Sequence, residues 1–182
     1  MARQQAVLER SSLLLQITSH SVALIVSLHR ARLAMLSRHI AKLEAALTTT
    51  LAKEASLAAH AARLTEVTGG GLLTATTALA LCPELGTLNR GQAASLLGVA
   101  PFNHDSGQLQ AQRHIAGGRY RLRCAIYMAA LSAVRFNPIL RAFYLQLRAR
   151  GKAAKVALTA VMRKLFLLLN HLLKNPHFVL AS

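Results

Sequence analysis

A chain of 182 residues is long enough for one compact domain, or for a small domain with an appendage, but not for two full domains. Apolar residues make up 53% of it, aromatics only 4%, and tryptophan is absent, so a core must be built from Leu, Ala, Val and Ile, a composition that favours helices. Twenty-two Lys and Arg against six Asp and Glu give a formal charge of +16, which points to a polyanionic partner. The few carboxylates, Glu9, Glu44, Glu54, Glu66, Glu84 and a lone Asp105, are too dispersed for a self-sufficient two-metal nuclease.

The charge is concentrated late in the chain. Residues 1–85 hold eight basic and five acidic side chains, whereas residues 86–182 hold fourteen and one. Nucleic acid is the expected partner, bound with an affinity that falls as salt rises, and anionic lipid would attract the same surface.

In chain order, residues 13–28 are the first apolar run. Gln16, Ser19, His20 and Ser21 interrupt it, and no small-residue cleavage site follows, so a buried helix is expected rather than a signal peptide or membrane span. From Leu33 a heptad runs without a change of register through Leu36, Ile40, Leu43, Leu47, Thr50, Glu54, Leu57, Ala61 and Leu64. It suits a helix of a bundle and an intermolecular coiled coil equally. The seam is expected to loosen or bend at Thr50 and Glu54.

This helix should end near Val67, at Thr68-Gly69-Gly70-Gly71, and a second should run from Leu72 to Leu81 before Pro83. Gly69, Gly70 and Gly71 form either a plain turn or a phosphate-holding entry to that second helix. Asn89 and Gln92 read as a capping box, with Gly98 as the closing cap of a helix over residues 90–97. Residues 99–118 carry Pro101, Gly107, Gly117 and Gly118 and read as an irregular loop or hairpin, of a length that is uncommon unless functional. A helix from Arg119 to Phe136 should follow. Asn137-Pro138 should cap the next helix, whose apolar face is Leu140, Phe143, Tyr144 and Leu147, and the last helix should cover residues 152–174. The apolar run 156–173 within it carries Arg163 and Lys164 at its centre, so burial in protein is expected there too.

Cys82 and Cys124 belong to no C-x-x-C pair, and the eight histidines show no H-x-x-x-H spacing, so no metal site is expected on them and a reducing cytosol fits. The chemistry gathers around "FNHDSGQ", residues 102–108. Asp-Ser-Gly alone most often forms a turn. Ser106 is nevertheless followed by Arg113, Arg119, Arg121 and Arg123, whose guanidinium forks match the charge that builds when a serine hydroxyl attacks a phosphodiester. A Ser-His-Asp hydrolase is disfavoured, because adjacent loop residues do not orient a shared imidazole and no strand-turn-helix elbow is present.

The series "GVAPFNHDSG", "RHIAGGRYRLRCAIYMAALSAVRFNPILRAFYLQLRARGK" and "KVALTAVMRKLFLLLN" resembles the C-terminal domain of insertion-sequence family 110 transposases (the 116/110/902 family), serine-dependent DNA recombinases of bacterial mobile elements. The resemblance covers about residues 67–182, and residues 1–66 resemble the helical, coiled-coil arm that precedes this domain. The elements above make a mainly α fold, a helical arm followed by a compact helical domain with an irregular central loop, and the resemblance implies a DNA nucleophile at Ser106. Arg113, Arg119, Arg121 and Arg123 are expected, from their place after that serine and their guanidinium chemistry, to hold phosphates.

The family's full enzyme also has an N-terminal domain whose Asp and Glu residues bind magnesium, and a structured guide RNA. Met1 precedes the heptads by only some thirty residues, so that domain is expected to be missing here and no cofactor is expected in this chain. The family's usual prolines around Gly-x-Gly are replaced by Thr68 and Leu72. Taken together, these features imply a transposase fragment that binds DNA, forms a homo-oligomer through its arm, takes no small-molecule substrate and resides in the cytoplasm with the nucleoid. A non-catalytic nucleic-acid-binding or oligomerising remnant is the alternative, and a cationic protein on anionic membranes the third.

Overall fold

The computed structural model describes residues 2–102, 114–115 and 117–180. The fold is mainly α, as the Leu- and Ala-rich composition requires, and the chain divides into two compact units, Met1–Ala58 and Ala59–Ser182.

In the first unit, α1 (Ala2–Ser19) packs against α2 (Ala23–Lys53). The connection is only residues 20–22, so the helices run antiparallel. Two ion pairs record that register: Arg3 meets Glu44 at 2.7 Å, and Arg32 meets Glu9 nearer the turn. Leu13, Leu36 and Ile40 are the buried side chains of the pair.

The expectation of a buried helix over residues 13–28 is therefore corrected: the run contains the turn, and Leu14, Leu15, Val22, Leu24 and Leu28 are exposed. The cause is local. The hydroxyls of Thr18 and Ser19 donate to the carbonyls of Leu15 and Gln16, an alternative to continued helix just where the polar cluster lies.

The heptad helix begins earlier than Leu33 and breaks at Glu54, where φ −108° and ψ 96° leave the helical region and the Glu54 N–H donates to Leu51 O. A carboxylate at a seam position is costly to bury, so the chain turns there and resumes as α3 (Ala55–Thr65). Seam residues Leu47 and Leu57 remain exposed.

The second unit contains α4 (Leu72–Leu81), α5 (Arg90–Leu97), α6 (Tyr120–Phe136), α7 (Pro138–Ala149) and α8 (Ala154–Lys174). Between α5 and α6, β1 (Pro101–Phe102) pairs antiparallel with β2 (His114–Ile115), Pro101 opposite Ile115 and Phe102 opposite His114. Helix α8 is the centre of the core and packs on α5, α6 and α7. It is long and apolar enough to cross a membrane by length and composition alone, but half of its apolar window is buried within the protein. Val161, Met162, Leu165, Phe166, Leu169 and Leu172 recur at helical spacing on its buried side, while Arg163 and Lys164 stay exposed.

The ends of these helices follow their local signals. Asn89 and Gln92 exchange side-chain and backbone hydrogen bonds as a capping box, and Gly98 closes α5 at φ 70°. Asn137 accepts from the Leu140 N–H, with Pro138 in the first turn of α7. Among the described residues one polar side chain is buried in the core. Asn170 of α8 accepts from the N–H of Gly86 at 2.8 Å and of Leu88 at 3.3 Å, and donates to Leu88 O at 2.9 Å. It pins the turn that follows Glu84 to the central helix.

Candidate nucleic-acid interface

The N-terminus of α6 and the foot of the β1–β2 pair are built together. Gly117 and Gly118 adopt φ 70° and 68°, and Gly118 lies so close to Gly98 that a Cβ on it would sit 2.3 Å from Gly98 N. Only glycine permits both the left-handed turn and this contact. The Arg119 N–H donates to Leu96 O at 2.7 Å, tying the start of α6 to the end of α5. Residues 103–113 connect the two strands, so Asp105, Ser106 and Arg113 lie outside the described residues.

The other three arginines are placed differently from one another. Arg119, the N-cap of α6, makes a two-pronged pair with Glu84: Nη1 donates to Oε2 at 2.7 Å and Nη2 to Oε1 at 2.6 Å, while Nη1 also donates to Leu81 O at 2.7 Å. Arg123 donates through Nη1 to Gly117 O at 2.5 Å and lies over the Tyr120 ring, 5.7 Å from its centroid. Arg121 is exposed. Thus Arg119 and Arg123 are engaged in holding the strand-pair foot against α4 and α5, and Arg121 is the one of the three that faces water.

Arginines at the start of a helix oppose its dipole, and a nearby anion offsets that cost. Glu84 is such an anion, supplied from within the chain. Arg119's hydrogen bonds, with a smaller backbone contribution, hold the Glu84 carboxyl down at about 2 from an ordinary 4.5. Beside them, burial pushes the Cys82 thiol up, and the neighbouring Glu84 charge adds to it.

The three glycines have separate uses. Gly69 has φ +106°, and a Cβ there would sit 2.6 Å from Ala133 Cβ, so the turn packs directly on α6. The Gly70 N–H donates to Val67 O at 2.8 Å. Gly71 is the N-cap of α4 in an ordinary extended conformation, with nothing within 4 Å of an added Cβ and no side chain capping the helix.

Much of the basic charge expected late in the chain lies beyond Arg119, Arg121 and Arg123. Arg135, Arg141, Arg148, Arg150, Lys152, Lys155, Arg163 and Lys164 are all exposed, and residues 135–164 contain no Asp or Glu. The described carboxylates of the second unit, Glu66 and Glu84, are committed to Arg63 and Arg119. None of the eight has a carboxylate partner among the described residues. Arg135, Phe136, Pro138, Arg141, Ala142 and Leu145 line a groove of about 280 Å³ at the corner of α6 and α7. The run of cations without carboxylates was visible as spacing, but its exposure depended on which face of α7 and α8 the core took.

Among the described residues no three His, Cys, Asp or Glu side chains gather as a metal site. Residues 61–145 match the family model described as Transposase IS116/IS110/IS902 family, and this stretch is a transposase domain of that family. Family membership makes DNA transposition, and with it DNA binding, the function of the domain. No curated protein matches the chain.

Proposed function

We propose, with the transposase domain of residues 61–145 as premise, that the chain binds DNA and supplies Ser106 as the nucleophile of strand cleavage and transfer. The observation that carries the reading is the position of Ser106 within the matched stretch, in the connection between β1 and β2 whose foot is clamped to α6. In the reaction a bond forms from the serine Oγ to phosphorus as one P–O bond of the strand breaks. The serine gives up its proton and the departing strand end takes one, so no oxidant or reductant is needed. Arg113 and exposed Arg121 hold the phosphate oxygens as charge builds, an arrangement in which one well-placed donor contributes about 3 kcal/mol. Arg119 and Arg123 act in this reading chiefly by fixing the start of α6.

Glu66 and Glu84 each face a guanidinium, which occupies the carboxylates of the second unit that the structure describes. Magnesium would be supplied with the carboxylate-bearing N-terminal domain of the family's full enzyme. A second copy of the chain is the partner proposed for the helical arm, supported by seam residues Leu47 and Leu57, which are 44% and 41% exposed. Sedimentation that depends on concentration, and that reverts to monomer in Leu47→Lys, tests this. Cytoplasmic, nucleoid-associated residence follows from the DNA partner, and a structured guide RNA would share the basic surface.

The nucleophile is tested by mixing the chain with element DNA, magnesium and a full-length member of the family, then denaturing and looking for a covalent protein–DNA adduct on this chain. Wild type should form it and Ser106→Ala should not. An adduct formed equally by both removes Ser106 from the role, and DNA binding with no adduct in either favours the binding-only alternative.

A further inference from the structure

We propose that the corner between α6 and α7 is a second nucleic-acid contact, which takes an unpaired base of a single strand on the Phe136 ring while Arg135 and Arg141 hold the adjoining phosphates. The proposal rests on the nucleic-acid-binding reading above but is independent of Ser106.

Phe136 is 62% exposed. A phenyl ring left in water at the end of a rigid helix is unusual, since such rings normally bury their area. Its position is fixed from both sides. The Asn137 cap and Pro138 hold the corner, and the Arg135 guanidinium lies 5.3 Å from the ring centroid, engaging one part of the ring while the rest stays accessible.

The groove beside the ring, about 280 Å³, continues along α7. Pro138, Arg141, Ala142 and Leu145 share one face at helical spacing, and all are exposed. This face is distinct from the side on which Leu140, Phe143, Tyr144 and Leu147 turn towards the protein. Helix α7 thus carries a second, short apolar stripe with a cation beside it. A nucleotide has the complementary character, with a flat apolar base and an anionic phosphate on either side. A duplex keeps its base faces stacked internally and offers the ring nothing, so a single strand or a splayed base is the fitting occupant. Charge supports the assignment, because the groove lies at the start of the carboxylate-free segment 135–164.

The test uses the whole chain with fluorescein-labelled oligonucleotides, oligo(dT), oligo(rU) and a DNA duplex, in anisotropy titrations at several salt concentrations. Phe136→Ala should weaken single-strand binding by roughly five- to a hundredfold. It should leave duplex binding and the salt slope unchanged, and Phe136→Tyr should restore affinity. Arg141→Gln should lower the single-strand salt slope by about 0.7. A 2-aminopurine in the strand should be quenched by wild type and less so by Phe136→Ala. Single-strand affinity unchanged within twofold in Phe136→Ala, or equal losses on single strand and duplex, overturns the proposal. A helical melt of Phe136→Ala matching wild type excludes misfolding as the cause of a loss. Binding that persists without dependence on Phe136 refutes this contact alone, whereas absence of all nucleic-acid binding refutes the functional reading beneath it.

Discussion

Replacing Asn170 with alanine removes the polar link between α8 and the turn over residues 85–88. Three backbone groups lose their partner: the Gly86 N–H, the Leu88 N–H and the Leu88 carbonyl. Leu88 is 8% exposed, so water reaches its two groups poorly. Orphaning a buried backbone group costs about 1–3 kcal/mol. The Leu88 N–H bond is long at 3.3 Å, and Gly86 is half-buried, so the low end applies to both of those groups. With the low end taken for the Leu88 carbonyl as well, the total for Asn170→Ala is at least about 3 kcal/mol.

Cys82, fully buried in the same unit, provides the assay: its reaction with a thiol reagent reports opening of that unit. In a Cys124→Ser background, with opening and closing fast relative to reaction, about 3 kcal/mol corresponds to a labelling rate faster by roughly a hundredfold. A thermal melt should fall by about 6–12 °C. A labelling rate raised by less than tenfold would refute the reasoning, because it would mean that water or a relaxed turn satisfies Leu88 as well as Asn170 does.

Breaking the Glu84–Arg119 pair should appear in the pH dependence of stability. The carboxyl's folded value lies below its unfolded one, so its contribution is full above about 4.5 and is lost as pH falls towards about 2. Glu84→Gln should melt with a weaker pH dependence across that window, and equal slopes in both proteins would show the pair to be idle. Gly69→Ala should cost more than about 2 kcal/mol in a urea titration, since it combines a left-handed backbone with a 2.6 Å clash against Ala133 Cβ. Gly71→Ala, with open space around it, should cost under about 1 kcal/mol. The reverse order would contradict the packing account of the glycine turn.

The helix ends of the second unit were legible in the sequence because their causes are local. Asn89 and Gln92, Gly98, and Asn137 with Pro138 each act within a few residues of themselves, and the structure places α5 and α7 where those residues indicate. The break at Glu54 was legible for a similar reason, as a carboxylate on an apolar seam. Residues 13–28 were misread because apolar content counts area but does not reveal a three-residue turn set by hydroxyl-to-carbonyl bonds. Asn170 was invisible because its partners lie more than eighty positions away. The same distance hid the partner of Arg119: a row of arginines is legible as charge, but which of them meets Glu84 depends on how α4 and α6 pack.

That last point bears on how the basic surface divides its labour. The second unit has two described carboxylates, Glu66 paired with Arg63 three positions before it and Glu84 paired with Arg119 at the start of α6. Cations later in the chain meet no such partner among the described residues, and they are exposed on helices whose opposite faces form the core. Self-repulsion among them opposes compactness, and a bound polyanion would relieve it. If that relief operates, short oligonucleotides should raise the melting temperature of the chain at low salt, and the gain should shrink as salt rises. A melting temperature indifferent to oligonucleotide at low salt would mean that the cations serve solubility alone.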